Sequence, residues 1–464
     1  MFTLVQSYFL FILVTFLVFN SISQKYKPLA LLIASIVLIG AISLQFATYA
    51  IIFASVNYLF GIILFNRPLN SESRTWLFRL FILIDIIPIL FFKYIPILSP
   101  LSSIIIPFGI SYYTFQALGY LIRIDRGVEK PETNFINYAL FLLFFPKFIS
   151  GPIERSNHFL PQLKNIPFFK KELFQQGLRL FLWGLFKKVV IADNLFQPLK
   201  IVYDNVYDYN GLQLWLIMLV QTAYIYNDFS GYTDMALGTA KIFGIDLIDN
   251  FNRPFLAKNI SDYWRRWHIS LSSWCNDFIY NPFIIKYRKW GIKAATVGVI
   301  ITFLIVGIWH GANATYIILG LLQSIAIIYE NFTKRWRFKL FEQVNNILVN
   351  TISRVLVYLF MSVSMIFFFA HSIADAVYFI YHLFSNVHSN NSTFYFIKFK
   401  PEFILALFLF IGSLFLEYFI EKGLKINELF FKQNIILRYS FYLIALLLIY
   451  ISIDKSESFY YARF

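Results

Sequence analysis

Residues 294–329 read AATVGVIITFLIVGIWHGANATYIILGLLQSIAIIY, 36 residues without an aspartate, glutamate, lysine or arginine. We predict a helical hairpin whose turn is the polar break at 309–313, which contains His310. Each arm is about 16 residues, roughly 24 Å of helix at about 1.5 Å per residue, against a hydrocarbon core of about 30 Å. The turn should therefore stop short of the far surface. At that depth its backbone has to be buried in protein or line a water-filled cavity.

The composition is that of a membrane protein. Of 464 residues, 59% are hydrophobic and 14% are charged, against about 25% charged in soluble domains. The 40 basic residues outnumber the 25 acidic ones. Because they gather between apolar segments, they indicate membrane orientation and attraction to anionic lipid, not nucleic-acid binding. Cys275 is the one cysteine, so no intrachain disulfide is expected.

Apolar runs long enough to cross a bilayer recur along the chain. They predict an all-α polytopic membrane protein with roughly ten to twelve transmembrane helices, plus re-entrant and interfacial helices. We expect one membrane domain, 1–464, with N-terminal helices (1–130), a core with the motifs (136–330) and C-terminal helices (331–464). The runs cover 2–20, 28–46, 48–65, 76–98, 104–122, 352–370, 403–420 and 436–453.

Basic residues mark alternate linkers between the early runs. The second linker, 46–48, and the fourth, 99–103, are uncharged. By the positive-inside rule the N-terminus is outside and the chain from residue 123 onward is cytoplasmic. Basic segments on both sides of the hairpin then direct its turn outward. The marking residues are Lys25, Lys27, Arg67, Arg74, Arg123, Arg126 and Lys130.

Three further apolar segments are interpreted separately. Residues 1–20 lack a basic start and a small-residue cleavage site, so we expect a retained first helix and not a removed signal peptide. The run 136–149 is short for a crossing and is predicted to be re-entrant or interfacial. Residues 175–191 are amphipathic and are predicted to lie at the cytoplasmic interface.

His310 is the first candidate for chemistry. A histidine beside Trp309 and Gly311 in an apolar wall can act as a general base, because its unperturbed pKa lies near neutral pH. The alternative is a packing histidine satisfied by a neighbouring carbonyl. Ionisable groups inside membranes are costly and usually mark pathways or sites. We therefore favour the functional role.

His268 is the second candidate, in the stretch 261–274, SDYWRRWHISLSSW. A continuous helix places His268 on one face with an aromatic and apolar series, and Arg265 on another. A membrane-surface anchor explains the same pattern. Cys275 is about 10 Å from His268 along such a helix, too far for a hydrogen bond, so we interpret it as structural. The series is Trp264, Trp267, Leu271 and Trp274.

The third candidate is the polar string 226–234, YNDFSGYTD. Asp228 and Asp234 interrupt an apolar segment, which predicts a broken helix with a polar lining. Capping of a new helix at Met235 is the alternative, and both can operate. We expect no metal site, because neither this spacing nor any other His/Cys/carboxylate group is zinc-like. The remaining histidines are in loop-like or interfacial contexts: His158, His371, His382 and His388.

In this order the motifs resemble the membrane-bound O-acyltransferase (MBOAT) superfamily, and more closely its bacterial alginate O-acetyltransferase (AlgI)-like branch. The resemblance runs from about residue 144 to the C-terminus. It is carried by FFPKFISGPIER at 144–155, Lys187-Lys188 with ADN at 192–194, YNDFSGYTD at 226–234, NFNRPF at 250–255, YWRRWHISLS at 263–272, WHGA at 309–312 and FYYARF at 459–464.

The resemblance implies a many-helix fold around a funnel, with His310 as the catalytic base and His268 as a donor-side or orienting residue. Family members move an acyl group from a cytoplasmic donor to a hydroxyl on an extracytoplasmic acceptor, often with a periplasmic or surface partner enzyme. One stretch departs from the family pattern. Where the family tends to continue Ile-Pro-Leu-Gly-Gly-Asn-Arg, residues 281–288 read NPFIIKYR, without the glycine pair.

The hypothesis is an O-acetyltransferase of the cytoplasmic membrane that acts on an exported polysaccharide or cell-wall glycan. No bound cofactor is expected; the acyl donor, such as acetyl-CoA or an acyl carrier, is a co-substrate. Asn313 is expected to hold the imidazole or the oxyanion, with Trp309, Asp228 and Asp234 in support. Cytoplasmic basic residues are expected to hold a phosphorylated donor or lipid headgroups. They are Lys187, Lys188, Arg265 and Arg266.

Two alternatives stay open. One is D-alanyl transfer to teichoic acid by the same fold and chemistry, with a carrier protein as donor. The other is a transporter or flippase without a bond-making step, for which a broken helix at 227–234 would also be natural. Inverted-repeat symmetry would favour transport, and the sequence shows none.

Overall fold

A computed structural model describes residues 2–98, 107–341, 346–385 and 401–453. Throughout these ranges the regular structure is helical, and one isolated antiparallel bridge pairs Phe251 with Trp267. The described residues form two compact units. One contains Phe2–Gly184 and Tyr232–Asp249, and the other contains Leu185–Gly231 and the described residues from Asn250 onward.

The first unit contains the N-terminal helices. The first five lie within about six residues of the predicted early runs at each end, because long apolar segments have few alternatives to helix in a bilayer. The predicted break at 46–48 occurs at Ser43 instead. The helices are α1 (Phe2–Ser21), α2 (Lys27–Ile42), α3 (Leu44–Phe65), α4 (Glu72–Leu98), α5 (Ile110–Asp125), α6 (Phe135–Leu143), α7 (Ser156–Lys164) and α8 (Lys171–Phe186), which ends in the second unit.

The second unit contains the candidate site residues His268 and His310. Its helices are α9 (Asp193–Asp204), α10 (Leu212–Ile242, whose end belongs to the first unit), α11 (Ile260–Arg266), α12 (Ile269–Cys275), α13 (Asn281–Lys286), α14 (Ile292–His310), α15 (Ala314–Phe341), α16 (Asn346–Phe369), α17 (Ile373–His382), α18 (Pro401–Glu421), α19 (Ile426–Lys432) and α20 (Ile435–Ser452). Two π-helical turns, Lys187–Ala192 and Asn276–Tyr280, precede α9 and α13.

The chain is an all-α polytopic membrane protein, as predicted. Eight of the described helices are long and apolar enough to cross a membrane: α2, α3, α4, α14, α15, α16, α18 and α20. This number is below the ten to twelve expected. Helix α6 is too short for this class, and the polar residues of α10 lower its hydropathy. The predicted divisions at residues 130 and 330 stay predictions.

The hairpin forms where it was predicted, but its arms are longer. Helix α14 has 19 residues, α15 has 28, and only residues 311–313 separate them. At about 1.5 Å per residue α14 is roughly 28 Å long, close to the thickness of a hydrocarbon core. The predicted arm length of about 16 residues is therefore wrong, because the helices continue past Lys293 and through His310. The depth of the turn in the bilayer stays a prediction.

Two glycines allow the arms to pack closely. A Cβ atom built on Gly320 would lie 2.3 Å from the carbonyl oxygen of Phe303, and one on Gly307 would lie 2.6 Å from that of Tyr316. Small residues at such positions let helix backbones approach in membranes, where dispersion contacts drive association. The contact fixes α14, and with it Trp309 and His310, against α15.

We expect Gly320→Ala to destabilise the protein by about 1–3 kcal/mol, because the added methyl group overlaps backbone that has to shift. The measurement is thermal unfolding of purified protein in detergent. Gly412→Ala is the matched control, because a Cβ atom there meets nothing within 4 Å. Equal unfolding temperatures for the two variants would contradict a close backbone contact at Gly320.

Candidate active site

His268 lies between two helices and not within one. Helix α11 ends at Arg266, α12 begins at Ile269, and His268 has φ 42° and ψ 53°, a left-handed conformation. The predicted continuous helix, with Trp264, Trp267, His268, Leu271 and Trp274 on one face, is therefore wrong. A left-handed residue other than glycine costs roughly 1–2 kcal/mol, and such strain is concentrated at functional sites.

The break is caused by backbone pairing with a distant segment. On either side of the Phe251–Trp267 bridge, the Asn252 amide donates to the Arg266 carbonyl at 2.9 Å and the Ile269 amide donates to the Asn250 carbonyl at 3.0 Å. The side-chain oxygen of Asn250 also accepts from the amide of Ser270 at 3.2 Å. These bonds satisfy backbone groups that a continuous helix would have paired internally.

The imidazole of His268 is buried among aromatic rings. It is 1% exposed, with the Phe229 ring centroid 4.8 Å away in an edge arrangement and the Trp309 centroid 6.1 Å away. Burial penalises the charged form and lowers the pKa of His268 to about 3. The imidazole is therefore neutral at physiological pH.

His310 is the last residue of α14 and is 7% exposed. Its ring lies 4.6 Å from that of Trp309, 5.9 Å from that of Tyr316 and 5.4 Å, edge-on, from that of Phe368, measured between centroids. Trp309 thus contacts both histidines. The two imidazole centroids cannot be farther apart than the sum of their distances to Trp309, about 11 Å.

Asn313 holds the turn that follows His310. Its side-chain nitrogen donates to the carbonyl of His371 at 2.8 Å, and its side-chain oxygen accepts from the amide of Thr315 at 3.1 Å. The second bond satisfies one of the free amides at the start of α15. The structure therefore gives Asn313 a turn-forming role, and its action on the imidazole or an oxyanion stays a prediction.

The polar string does not break its helix, because α10 is continuous from Leu212 to Ile242. The predicted broken helix and the predicted cap before Met235 are both wrong. The polar side chains have partners on another segment, so the backbone can stay helical. Lys188 Nζ lies 2.6 Å from an Asp228 oxygen and 2.7 Å from an Asp193 oxygen.

This buried cluster also corrects the expected role of the lysine pair. Lys187 and Lys188 are buried, and Lys187 donates to the Ser230 hydroxyl at 3.1 Å. The prediction that they face the cytoplasm and hold a phosphorylated donor or lipid headgroups is therefore wrong. The residue after Asp228 is Phe229, whose ring contacts His268. The cluster therefore fixes the part of α10 that packs on the histidine.

The other predicted supporting residues lie elsewhere. Asp234 belongs to the end of α10 assigned to the first unit. The side chain of Arg265 is 71% exposed, with its guanidinium 3.8 Å from Asp262. Cys275 is buried at the end of α12. His388 and the aromatic motif 459–464 are outside the described ranges.

Two polar residues of α15, neither of them predicted as a site residue, position the segment before His268. Glu330 accepts from the amides of Ile260 and Ser261 at the start of α11. Gln323 accepts from the indole nitrogen of Trp264 at 3.1 Å. A signal existed: Gln323 is a polar residue within the uncharged run, and Glu330 is the first charge after it.

The remaining histidines have partners outside these aromatic contacts. His158 lies 2.9 Å from Glu154, His371 lies 3.2 Å from Asp204, and His382 Nδ1 lies 3.0 Å from the Tyr378 carbonyl. In the ranges that the structure describes, no group of three histidine, cysteine or acidic residues could hold a metal ion.

The fold and site together define a multi-pass membrane protein with two buried histidines that contact one tryptophan. The sequence model of the membrane-bound O-acyltransferase (MBOAT) family matches residues 110–373, more than half of the chain, including both histidines. The chain therefore belongs to the membrane-bound O-acyltransferase family, and the resemblance inferred from the motifs is confirmed.

The names of three similar proteins state the polymer on which each acts. The chain is 34% identical over 317 residues to a probable alginate O-acetylase AlgI of Pseudomonas syringae, covering 64% of this chain and 60% of that protein. It is 33% identical over 330 residues to a peptidoglycan O-acetyltransferase of Helicobacter pylori, covering 61% of each. It is 32% identical over 276 residues to a teichoic acid D-alanyltransferase of Bacillus subtilis, covering 56% of this chain and 69% of that protein.

Lys188→Met is expected to destabilise the protein by about 3–5 kcal/mol, because it leaves the buried carboxylates of Asp193 and Asp228 without their lysine. Thermal unfolding in detergent measures the loss. Lys200→Met, at an exposed position of α9, is the control and should stay within about 0.5 kcal/mol of the wild type. Equal unfolding temperatures for the two variants would show that the ion pairs do not hold the cluster.

Proposed function

We propose that the protein is an O-acyltransferase that moves an acetyl group from a cytoplasmic donor to a hydroxyl of an exported polysaccharide or cell-wall glycan. The observation that carries the proposal is that His268 and His310 both contact the ring of Trp309. All three residues lie within the range matched by the family model. Relatives named as O-acetylases and O-acetyltransferases support acetyl as the acyl group.

His310 is the proposed general base. Its imidazole accepts the proton of the acceptor hydroxyl while that oxygen attacks the carbonyl carbon of the donor thioester. A carbon–oxygen bond forms, the carbon–sulfur bond breaks, and the proton passes from His310 to the departing sulfur. The products are the ester and a free thiol. The rings of Trp309, Tyr316 and Phe368 limit access of water, which would otherwise compete as the acceptor.

His268 is proposed to orient the donor. Its burial makes it a neutral hydrogen-bonding group and a poor proton acceptor at pH 7. Asn313 acts by fixing the turn after His310, and Asp228 acts by fixing Phe229. Arg265 is exposed and is proposed to meet anionic groups of the donor or of lipid. The donor is a co-substrate, acetyl-CoA or an acyl carrier.

D-alanyl transfer to teichoic acid is a second candidate, because the Bacillus subtilis relative named for that activity is nearly as similar as the O-acetylases. The two functions differ in the acyl donor and in the acyl group that it carries. Radiolabelled acetate or D-alanine, fed to cells that make the protein, would show which label enters the polymer. Transport loses its specific support, because α10 is not broken at 227–234.

The proposed location is the cytoplasmic membrane, with the N-terminus outside and the hairpin turn facing outward. The support is the distribution of basic linkers. Exposed basic residues lie at the other end of α14, at Lys289 and Lys293. A periplasmic or surface acetyltransferase is the proposed partner, because an acceptor at the outer face can be reached by such an enzyme.

The topology predicts opposite labelling of two single cysteines in a Cys275→Ser background. A membrane-impermeant maleimide added to intact cells, with the outer membrane permeabilised where one is present, should label Asn205→Cys and not Lys289→Cys. Both positions are exposed, and Asn205 follows Asp204, which pairs with His371 near the turn. Labelling after lysis controls for reactivity. The reverse pattern would invert the proposed orientation.

His310→Ala should reduce acetyl ester on the surface glycan by at least about 100-fold at matched protein levels. Loss of a general base usually lowers a rate by about 10² to 10⁴. His158→Ala, which removes an imidazole bonded to Glu154, is the matched control and should keep the wild-type level. Ester is measured after mild alkaline release of acetate. Equal ester in the two variants would remove His310 from the reaction.

A further inference from the structure

A partly exposed group of aromatic and acidic side chains lies next to the hairpin turn. We name it the acidic aromatic rim. Its residues come from the end of α9, the short turn after it, and α17 with the loop before it. They are Asp204, Tyr207, His371, Asp375, Tyr378 and Tyr381.

Hydrogen bonds hold most of the rim in one arrangement. The Tyr207 hydroxyl donates to Asp375 at 2.8 Å, and the Tyr378 hydroxyl donates to the Tyr207 carbonyl at 2.9 Å. The two tyrosine rings meet edge to face at 4.7 Å. His371 Nε2 lies 3.2 Å from Asp204. The surface is therefore preorganised, which reduces the entropy lost when a ligand binds.

Four of the rim side chains are exposed, and Asp375 and Tyr378 are half-buried. Tyr207 is 60% exposed and Tyr381 is 75% exposed, and the side chains of His371 and Asp204 are 63% and 46% exposed. Exposed carboxylates are costly in hydrocarbon. The rim therefore faces water or the headgroup region, not lipid tails.

The rim is joined to the candidate base through the turn. Asn313, three residues after His310, donates to the carbonyl of His371 at 2.8 Å. Phe368, three residues before His371, packs edge-on against the His310 ring. A ligand held on the rim thus lies beside the turn that follows His310.

The chemistry of the rim fits a sugar. The C–H faces of a pyranose ring pack on exposed aromatic rings, and carboxylates accept hydrogen bonds from its hydroxyls. Charge narrows the choice. The segments 200–211 and 371–385 contain Asp204, Asp208 and Asp375 against one basic residue, Lys200. Like charges in opposition disfavour a polyanionic ligand.

We propose that the acidic aromatic rim binds the acceptor as an uncharged glycan and discriminates against polyanionic glycans such as polyuronates. This rests on the proposed function for the identity of the acceptor, but glycan binding can be measured without acyl transfer. The rim then supplies the specificity, and His310 supplies the chemistry.

The test is binding of two tetrasaccharides to the purified full chain in lipid nanodiscs, measured by saturation-transfer NMR and calorimetry. The probes are N-acetylglucosamine tetramer, which is uncharged, and mannuronate tetramer, which is anionic. The wild type and His310→Ala should both bind the uncharged tetramer at least tenfold more tightly than the anionic one. Empty nanodiscs control for binding to lipid.

Rim variants give the decisive comparison. Tyr381→Ala should weaken binding of the uncharged tetramer at least tenfold, while Tyr26→Ala, a tyrosine 50% exposed on the linker before α2, should leave it unchanged. Asp375→Asn should narrow the preference for the uncharged tetramer. The unfolding temperature of each variant has to equal that of the wild type. If Tyr381→Ala does not fold, Tyr381→Phe should fold and should bind the uncharged tetramer as the wild type does.

The outcomes separate this proposal from the proposed function. Any of three results overturns the rim as a glycan site: unchanged affinity in Tyr381→Ala and Asp375→Asn, equal binding of both tetramers, or no binding of either. The surface would then suit a protein partner or lipid headgroups. If the rim binds the uncharged glycan selectively but the chain transfers no acyl group, the glycan site is supported and the proposed function is contradicted.

Discussion

The pairing of Phe251 with Trp267 is the constraint on which the arrangement of the site depends. It satisfies the backbone of the segment between α11 and α12 from outside, so the helix can stop there without leaving buried amides and carbonyls unpaired. The stop places His268 in a left-handed conformation. Its ring consequently packs against Phe229 and Trp309. The strain at one residue is thus balanced by hydrogen bonds that its neighbours make.

The hairpin supplies the second half of the site by a different means. Close contact at Gly307 and Gly320 fixes the two arms, and Asn313 ties their turn to the loop before α17. Glu330 and Gln323 on the second arm then bond to α11, the helix that leads to His268. One rigid helix, α15, therefore positions both histidines, which explains how residues far apart in sequence meet at Trp309.

Hydrophobicity made much of the fold predictable. Spans, hairpin and turn follow from long uncharged runs, because a bilayer leaves such runs little choice but helix. The errors occur where long-range partners override a local pattern. Asp228 looks like a helix breaker until Lys188 is placed beside it, and Trp264 to Trp274 looks like one helical face until Phe251 pairs with Trp267. The rim could not be predicted, because it joins segments such as Tyr207 and Asp375 through tertiary contacts.

The two histidines are both buried, but they occupy different places in the backbone, and that difference fits a division of roles. His268 is almost sealed by aromatic rings, so burial keeps it neutral and favours it as a fixed hydrogen-bonding group. His310 lies at a helix end beside the turn residues 311–313, which are partly exposed. A base has to reach the hydroxyl that it deprotonates. His310 stands next to these partly exposed residues, while His268 is enclosed by the rings of Phe229 and Trp309.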